Sequence, residues 1–209
     1  MSGCCEIKTF DGASPAYRRA LLAVIAINAV MFVVEMSAGM ISGSQALKAD
    51  ALDFAGDTAT YALSLMVIGA SVRTRAYASL FKGASLALIA MAVLGMTALR
   101  VLDGSPPEAS TMGIVGFMAL AANAASVVIL LRWRDGDSNV LSVWLCSRND
   151  AIGNVGVIFA GGLVALTGSA WPDLVVAILL ASLFLKSASA ITLQAPLELN
   201  ADREFQAQH

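Results

Sequence analysis

The sequence predicts an all-α integral membrane protein of six transmembrane helices with both termini in the cytoplasm. Three observations carry that expectation. The chain of 209 residues is 58% hydrophobic and 13% charged, whereas soluble domains lie nearer half apolar and a quarter charged. Six apolar stretches each approach the ~20 residues that cross a ~30 Å hydrocarbon core. The cationic residues fall almost entirely on alternate loops, the bias that sets orientation in a bilayer.

In chain order, the spans are expected near residues 18–41, 45–70, 82–101, 111–132, 140–167 and 172–193. Arg18 and Arg19 before an apolar run imitate a secretory signal. No small-residue cleavage pattern follows, and the run continues for a full membrane width, so it reads as the first span. Ser42-Gly43-Ser44 turns the chain into the second. Asp103-Gly104-Ser105-Pro106-Pro107, Asp135-Gly136-Asp137 and Thr167-Gly168-Ser169 supply later breaks. Pro172 suits the first turn of the sixth helix, and Asp173 complements that helix's dipole, which reads as capping rather than ligation. Residues 1–17 then form a cytoplasmic N-terminal segment, 18–193 the six-helix membrane domain, and 194–209 a short polar cytoplasmic tail.

Lys8, Arg18, Arg19, Arg73, Arg75, Lys82, Arg132, Arg134, Lys186 and Arg203 fall on one side, with only Lys48 and Arg100 on the other and Arg148 inside a span. This places both termini in the cytoplasm of a cell membrane, with the compact loops of a bacterial inner-membrane protein. The net charge of −2 and the single His209 offer no basic patch for nucleic acid. Three cysteines give no disulfide framework. Cys4 and Cys5 are adjacent at the N-terminus, where a poorly ordered segment is the simpler reading than a metal-capturing mouth.

Polar residues inside spans are expensive and therefore informative. Asn28 and Glu35 share a face of the first helix, Asn123 lies on the fourth, and Cys146, Arg148, Asn149, Asp150 and Asn154 crowd the fifth. The second helix carries Asp50, Asp53 and Asp57. The last two are four residues apart and stack on one face, with Asp50 a turn earlier. The third and sixth helices, nearly free of buried charge, read as scaffold. Frequent Gly and Ala, including Gly39, Gly153, Gly156, Gly161 and Gly162, permit close helix approach.

Three carboxylates on one face imply a cation site. Cys146 and Asp150 repeat the four-residue spacing of Asp53 and Asp57. If the second and fifth helices face each other, two side chains from each converge into a tetrahedral shell for a divalent ion. Counting ~1.5 Å per residue from the helix ends places Asp57 and Asp150 near the membrane midplane, where alternating access needs a site. Arg148 is two positions from both Cys146 and Asp150, so it points off that face, toward Glu35 or Asp50 or toward the cytoplasmic surface.

The stretch from Ser42 through Asp50, Asp53 and Asp57 resembles the second-helix signature of the cation diffusion facilitator family. Cys146-Ser147-Arg148-Asn149-Asp150, continuing through Gly168 and Asp173 to Ala188, is similar to that family's fifth and sixth helices. The resemblance covers most of residues 20–190. It implies a transport site of Asp53, Asp57, Cys146 and Asp150, and efflux of Zn²⁺ or a similar divalent cation in exchange for protons, with no resident cofactor. Family members usually carry His where Cys146 stands. A thiolate is softer and favours Zn²⁺, Cd²⁺ or another thiophilic ion. The alternative is that Cys146 is a small buried hydrophobe and three aspartates hold the ion. Many members continue into a metal-binding cytoplasmic domain after the sixth helix. Here a short tail is expected, so that any homodimer forms through the membrane helices.

Four acidic ligands crowded together are not all ionised when the site is empty, and metal binding then displaces protons. Two other classes compete with a carrier. A passive channel would use the same ligands. A membrane enzyme would use the aspartate pair catalytically, but Phe54 stands where the Gly-x-Gly-Asp element of intramembrane aspartyl proteases needs glycine. The Asp-Gly-x-x-Ala-Arg element of membrane phosphoalcohol transferases is also missing, and neither enzyme explains Cys146 and Asp150.

Overall fold

A computed structural model describes residues 14–66, 72–133 and 138–207. Among them it contains six long α-helices and no strand: α1 (Pro15–Ser42), α2 (Gln45–Met66), α3 (Val72–Asp103), α4 (Ala109–Leu130), α5 (Ser138–Thr167) and α6 (Trp171–Ala207), with a 3₁₀ turn at Leu131–Trp133 after α4. Among the described residues four of the six expected spans are long and apolar enough to cross a membrane: Pro15–Ser42, Gly83–Leu102, Ala109–Trp133 and Asp150–Thr167. The adjacent Cys4 and Cys5, the Asp135–Asp137 loop and His209 lie outside the described residues.

Helix ends follow local chemistry more closely than hydropathy. Ser14 caps α1, its hydroxyl accepting the Tyr17 N–H at 3.2 Å, with Pro15 in the first turn. The apolar run alone puts that start three residues late. In the same way α3 begins at Val72, ten residues before its apolar part. α6 continues through the polar tail to Ala207, where Leu, Glu, Ala, Arg and Gln are good helix formers. Hydropathy finds the apolar core of a helix and says little about its polar extensions.

Helices α1, α2, α4 and α5 form a bundle in which α1 packs on α2 and α4, and α4 on α5. α3 and α6 form a second antiparallel pair, which meets the bundle mainly through α2 and also through α5. Close packing depends on small side chains. At Gly161 an added Cβ would lie 3.0 Å from Met112 Cβ, so α5 and α4 approach nearly backbone to backbone. Large apolar residues such as Val30, Leu88, Ile114, Phe159 and Leu183 point outward, as expected of a surface that faces lipid tails.

One end of the protein is stitched together by its loops. α1 ends at Gly43, which adopts φ 76°, a left-handed conformation that closes a helix at low cost only without a Cβ. A Cβ there would also run into the Arg100 guanidinium of α3. The Glu108 N–H donates to the Ser42 carbonyl at 3.0 Å, joining the α3–α4 loop to the end of α1. Exposed Glu108 accepts the hydroxyls of Ser110 and Thr111 at 2.7 and 2.8 Å, and these bonds hold its carboxyl below the usual range. At the opposite end Tyr17 packs edge-on against Trp133, ring centroids 5.7 Å apart, and the Arg132 guanidinium lies 5.9 Å from the Trp133 ring.

Asp173 is the centre of the stitching, and its role differs from the one its position on α6 predicts. Its carboxylate accepts the Ser44 hydroxyl at 2.5 Å and the backbone N–H groups of Gln45 and Ala46 at 2.8 and 3.0 Å. Ser44 in turn caps Leu47 at 3.0 Å. Asp173 therefore closes the N-terminus of α2 from across the molecule, where the unpaired amides and helix dipole favour a negative charge. It is 1% exposed. Replacing Asp173 by Ala leaves buried donors without acceptors and should cost about 3 kcal/mol. Asp173→Asn, which keeps one oxygen acceptor, should lose less. Thermal unfolding of the two variants in detergent tests the ranking, and a wild-type melting temperature in Asp173→Ala would refute the clamp.

Candidate functional site

Four residues in two pairs, Asp53 and Asp57 on α2 and Cys146 and Asp150 on α5, are the expected site. Asp57 is 9% exposed and buried in the bundle, and its carboxylate accepts the Tyr61 hydroxyl one turn further along α2. The same hydroxyl lies 3.4 Å from Ser147 Oγ on α5. Tyr61 therefore ties α2 to α5, and the contact fixes their register. The helices run antiparallel, so Asp57 comes level with Asp150 and Asp53 comes level with Asn154. Asp53 and Asp150 are both half-buried.

Cys146 and Arg148 lie on α5, but their side chains fall outside the described residues. Among the described residues no three Cys, His, Asp or Glu side chains gather closely enough to cage a metal ion. The helices that bear the expected ligands are thus brought together at one level, while a closed cage is not formed by the described side chains.

Asp50 takes a direction of its own. It is 2% exposed and faces Glu35 of α1, which is 0% exposed. The two carboxyls act on each other electrostatically, and Asp53 adds to the field at Glu35. Among the described residues neither Glu35 oxygen nor Asp50 Oδ2 has a hydrogen-bond partner of good geometry. This pair lies toward the stitched end, one helical turn from Asp53. Asp50 therefore belongs with α1, although its spacing groups it with the other two aspartates.

Apolar clusters border the carboxylate level on both sides. Met31, Phe54 and Ala119 pack together toward the stitched end. Tyr17, Leu21, Val24, Tyr61 and Leu130 pack together toward the other. Between them lie Asn28, Asp57 and Asn123, each one turn from a member of the first cluster. Tyr61 and Ser147 are functional candidates that spacing arguments pass over. The available signal was Tyr61 itself, a phenol four residues after Asp57 and so on the same face, in a setting where a buried hydroxyl needs a partner.

Comparison with known proteins places this arrangement in a family. A family model for the cation efflux transmembrane domain matches residues 21–199. The metal cation efflux system protein CzcD of Cupriavidus metallidurans is 28% identical over 174 residues, which are 78% of this chain and 55% of that protein. The zinc transporter ZitB of Escherichia coli is 28% identical over 183 residues, 81% of this chain and 58% of the relative. A Bacillus subtilis protein named as a cadmium, cobalt and zinc/H(+)-K(+) antiporter is 24% identical over 188 residues, 82% of this chain and 60% of the relative. The chain thus spans a little over half the length of these curated relatives.

If Tyr61 holds Asp57 through a charge-assisted hydrogen bond, the two side chains should couple in a double-mutant cycle. Tyr61→Phe, Asp57→Asn and the double variant should give a coupling of about 2 kcal/mol in unfolding free energy. Ser147→Ala, at 3.4 Å, should change stability by about 0.5 kcal/mol or less. Additive effects of the first pair would remove Tyr61 from the site.

Proposed function

We propose that this chain, which belongs to the cation diffusion facilitator family, exports a divalent heavy-metal cation, Zn²⁺ or Cd²⁺, in exchange for protons. Asp53, Asp57, Cys146 and Asp150 are the proposed ligands. The observation that carries the reading is the α2–α5 register set by Tyr61 between Asp57 and Ser147. It supports Asp57 and Asp150 as facing ligands at one level, with Asp53 one turn toward Asn154 and Cys146 one turn toward Tyr61. The names of the relatives, a metal cation efflux protein, a zinc transporter and an antiporter of cadmium, cobalt and zinc, support the same substrate class.

The chemistry follows from charge. Three carboxylates and a thiolate between lipid-facing helices repel one another and cannot all lose their protons while the site is empty. A dication supplies the compensating charge, so its binding releases protons toward the side from which it came. In the proposed cycle the ion enters from the cytoplasm, the helices rock, and protons arriving from the other side expel it. The bias of Lys and Arg in the sequence supports a cytoplasmic position for the end opposite Gly43, in a bacterial inner membrane. The α3–α6 pair beside the bundle is the natural partner for rocking, because α2 touches both groups. Arg148, two positions from both α5 ligands, is assigned a structural role beside the site.

The thiolate gives this chain its own selectivity. A Cys146 ligand in its ionised form prefers Zn²⁺ and Cd²⁺ to Mn²⁺ or Mg²⁺. Flux into proteoliposomes should therefore rise with an imposed pH gradient for Zn²⁺ and Cd²⁺. It should vanish in Asp57→Ala while the protein stays folded. Cys146→His should shift preference from Cd²⁺ toward Zn²⁺ by roughly tenfold, the scale of a ligand-shell change. Flux indifferent to the gradient would point to a channel. Unaltered flux in Asp57→Ala would overturn the site, and with no flux of either ion the enzyme reading would reopen.

A further inference from the structure

Asn28 on α1 is 1% exposed and Asn154 on α5 is 0% exposed. Neither the amide nitrogen nor the carbonyl oxygen of either side chain has a hydrogen-bond partner among the described residues. Asn123 of α4 is 2% exposed. Among the described side chains, α1, α4 and α5 each place an asparagine in the bundle interior, and α2 places Asp57 there.

Helix register puts these amides at the depth of the proposed ligands. On α1 the buried residues run Tyr17, Leu21, Val24, Asn28, Met31 and Glu35, so Asn28 is on the face that packs against α2 and α4. It lies between Val24, which packs with Tyr61, and Met31, which packs with Phe54. The midpoint of Phe54 and Tyr61 on α2 is the turn of Asp57. On α5 the register comes from close contacts: a Cβ on Gly116 would meet Val157 and Ile158, and one on Gly161 would meet Met112. Carried along the two antiparallel helices, this brings Asn154 level with Ala119 and Asp150 level with Asn123. Ala119 packs on Phe54, next to Asp53. Asn154 also follows Asp150 by four residues and shares its face.

A buried carboxamide with neither hydrogen bond made is destabilising, and native interiors rarely keep one without a use. Asn28 and Asn154 bracket the level of the expected ligands. Their oxygens are hard, neutral donors of the kind that bind a dication directly or hold water on it. We propose that Asn28 and Asn154 are part of the transport site and give the ion an oxygen-rich shell of more than four ligands. This rests on the metal site proposed above and adds a consequence for selectivity. The site accepts ions that favour five or six ligands, such as Co²⁺, beside the tetrahedral Zn²⁺.

Cobalt(II) reports its own geometry, because four-coordinate Co²⁺ absorbs visible light far more strongly than six-coordinate Co²⁺. The test is the visible spectrum of the full chain in detergent titrated with Co²⁺, for wild type, Asn28→Leu, Asn154→Leu and Asp57→Asn. Wild type should show the weak bands of a five- or six-coordinate ion. Each Leu variant should raise that absorption several-fold and lower Co²⁺ affinity relative to Zn²⁺. The Leu variants should also melt no lower than wild type without metal, since each removes an unpaired buried amide. An intense four-coordinate wild-type spectrum overturns the inference even if a variant fails to fold, as do Leu variants with the wild-type spectrum. In those two cases, loss of Co²⁺ binding in Asp57→Asn leaves the metal site itself standing. Full Co²⁺ binding by Asp57→Asn overturns the metal site, and the amide shell with it.

Discussion

A polar group carried into a lipid-facing bundle must find its partner inside the protein, because the hydrocarbon around it offers none. That constraint accounts for the arrangement of this chain better than apolar packing does. Helices in a bilayer gain little from burying leucine against leucine, since lipid is as apolar as the neighbouring helix. What distinguishes one packing from another is where the carboxylates, amides and free helix ends go. Asp173 closes α2 and Tyr61 engages Asp57. The exterior is left to Val30, Leu88, Phe159 and their like.

The sequence makes the all-helical membrane class legible, and four of the six expected spans recur among the described residues as stretches long and apolar enough to cross a membrane. Boundaries are less legible for a physical reason. The Ser14-Pro15 cap, the polar first turns of α3 and the tail of α6 are set by hydrogen bonding and helix propensity, to which hydropathy is blind. Asp173 shows a second kind of limit. Its sequence context is that of a first-turn acid on its own helix, and it does sit there. Its hydrogen bonds nevertheless reach residues more than 120 positions away, and only the packing of α6 on α2 reveals which helix it serves.

The candidate site divides in the same way. Spacing alone pairs Asp53 with Asp57 and Cys146 with Asp150, since four residues of helix leave no choice of face. The pairing of α2 with α5 is a tertiary fact, and Tyr61 with Ser147 expresses it. Asp50 misleads, because a helix has more than one buried face when it sits between neighbours. Its interior position against α1 sends its carboxyl to Glu35. The asparagines were visible as letters inside apolar segments. Their common depth emerges only from the register of four helices.

α2 occupies a special mechanical position. It packs on α1 and α5 within the bundle and on both α3 and α6 outside it, so it carries the larger part of the contact between the two helix groups, with α5 against α6 supplying the rest. Its first turn is bonded to α6 through Asp173, and a turn near its other end is bonded to α5 through Tyr61. Interior packing of this density tends to shift between discrete arrangements and resists gradual deformation. A movement of α6 relative to the bundle therefore has to carry the N-terminus of α2 with it or break three buried hydrogen bonds. Asp53 and Asp57 lie between those two anchors, at the point where strain applied at one end of α2 meets restraint at the other. A helix proposed to bear ion ligands gains from such placement, because a small displacement at the stitched end alters the geometry around the carboxylates without unfolding any element.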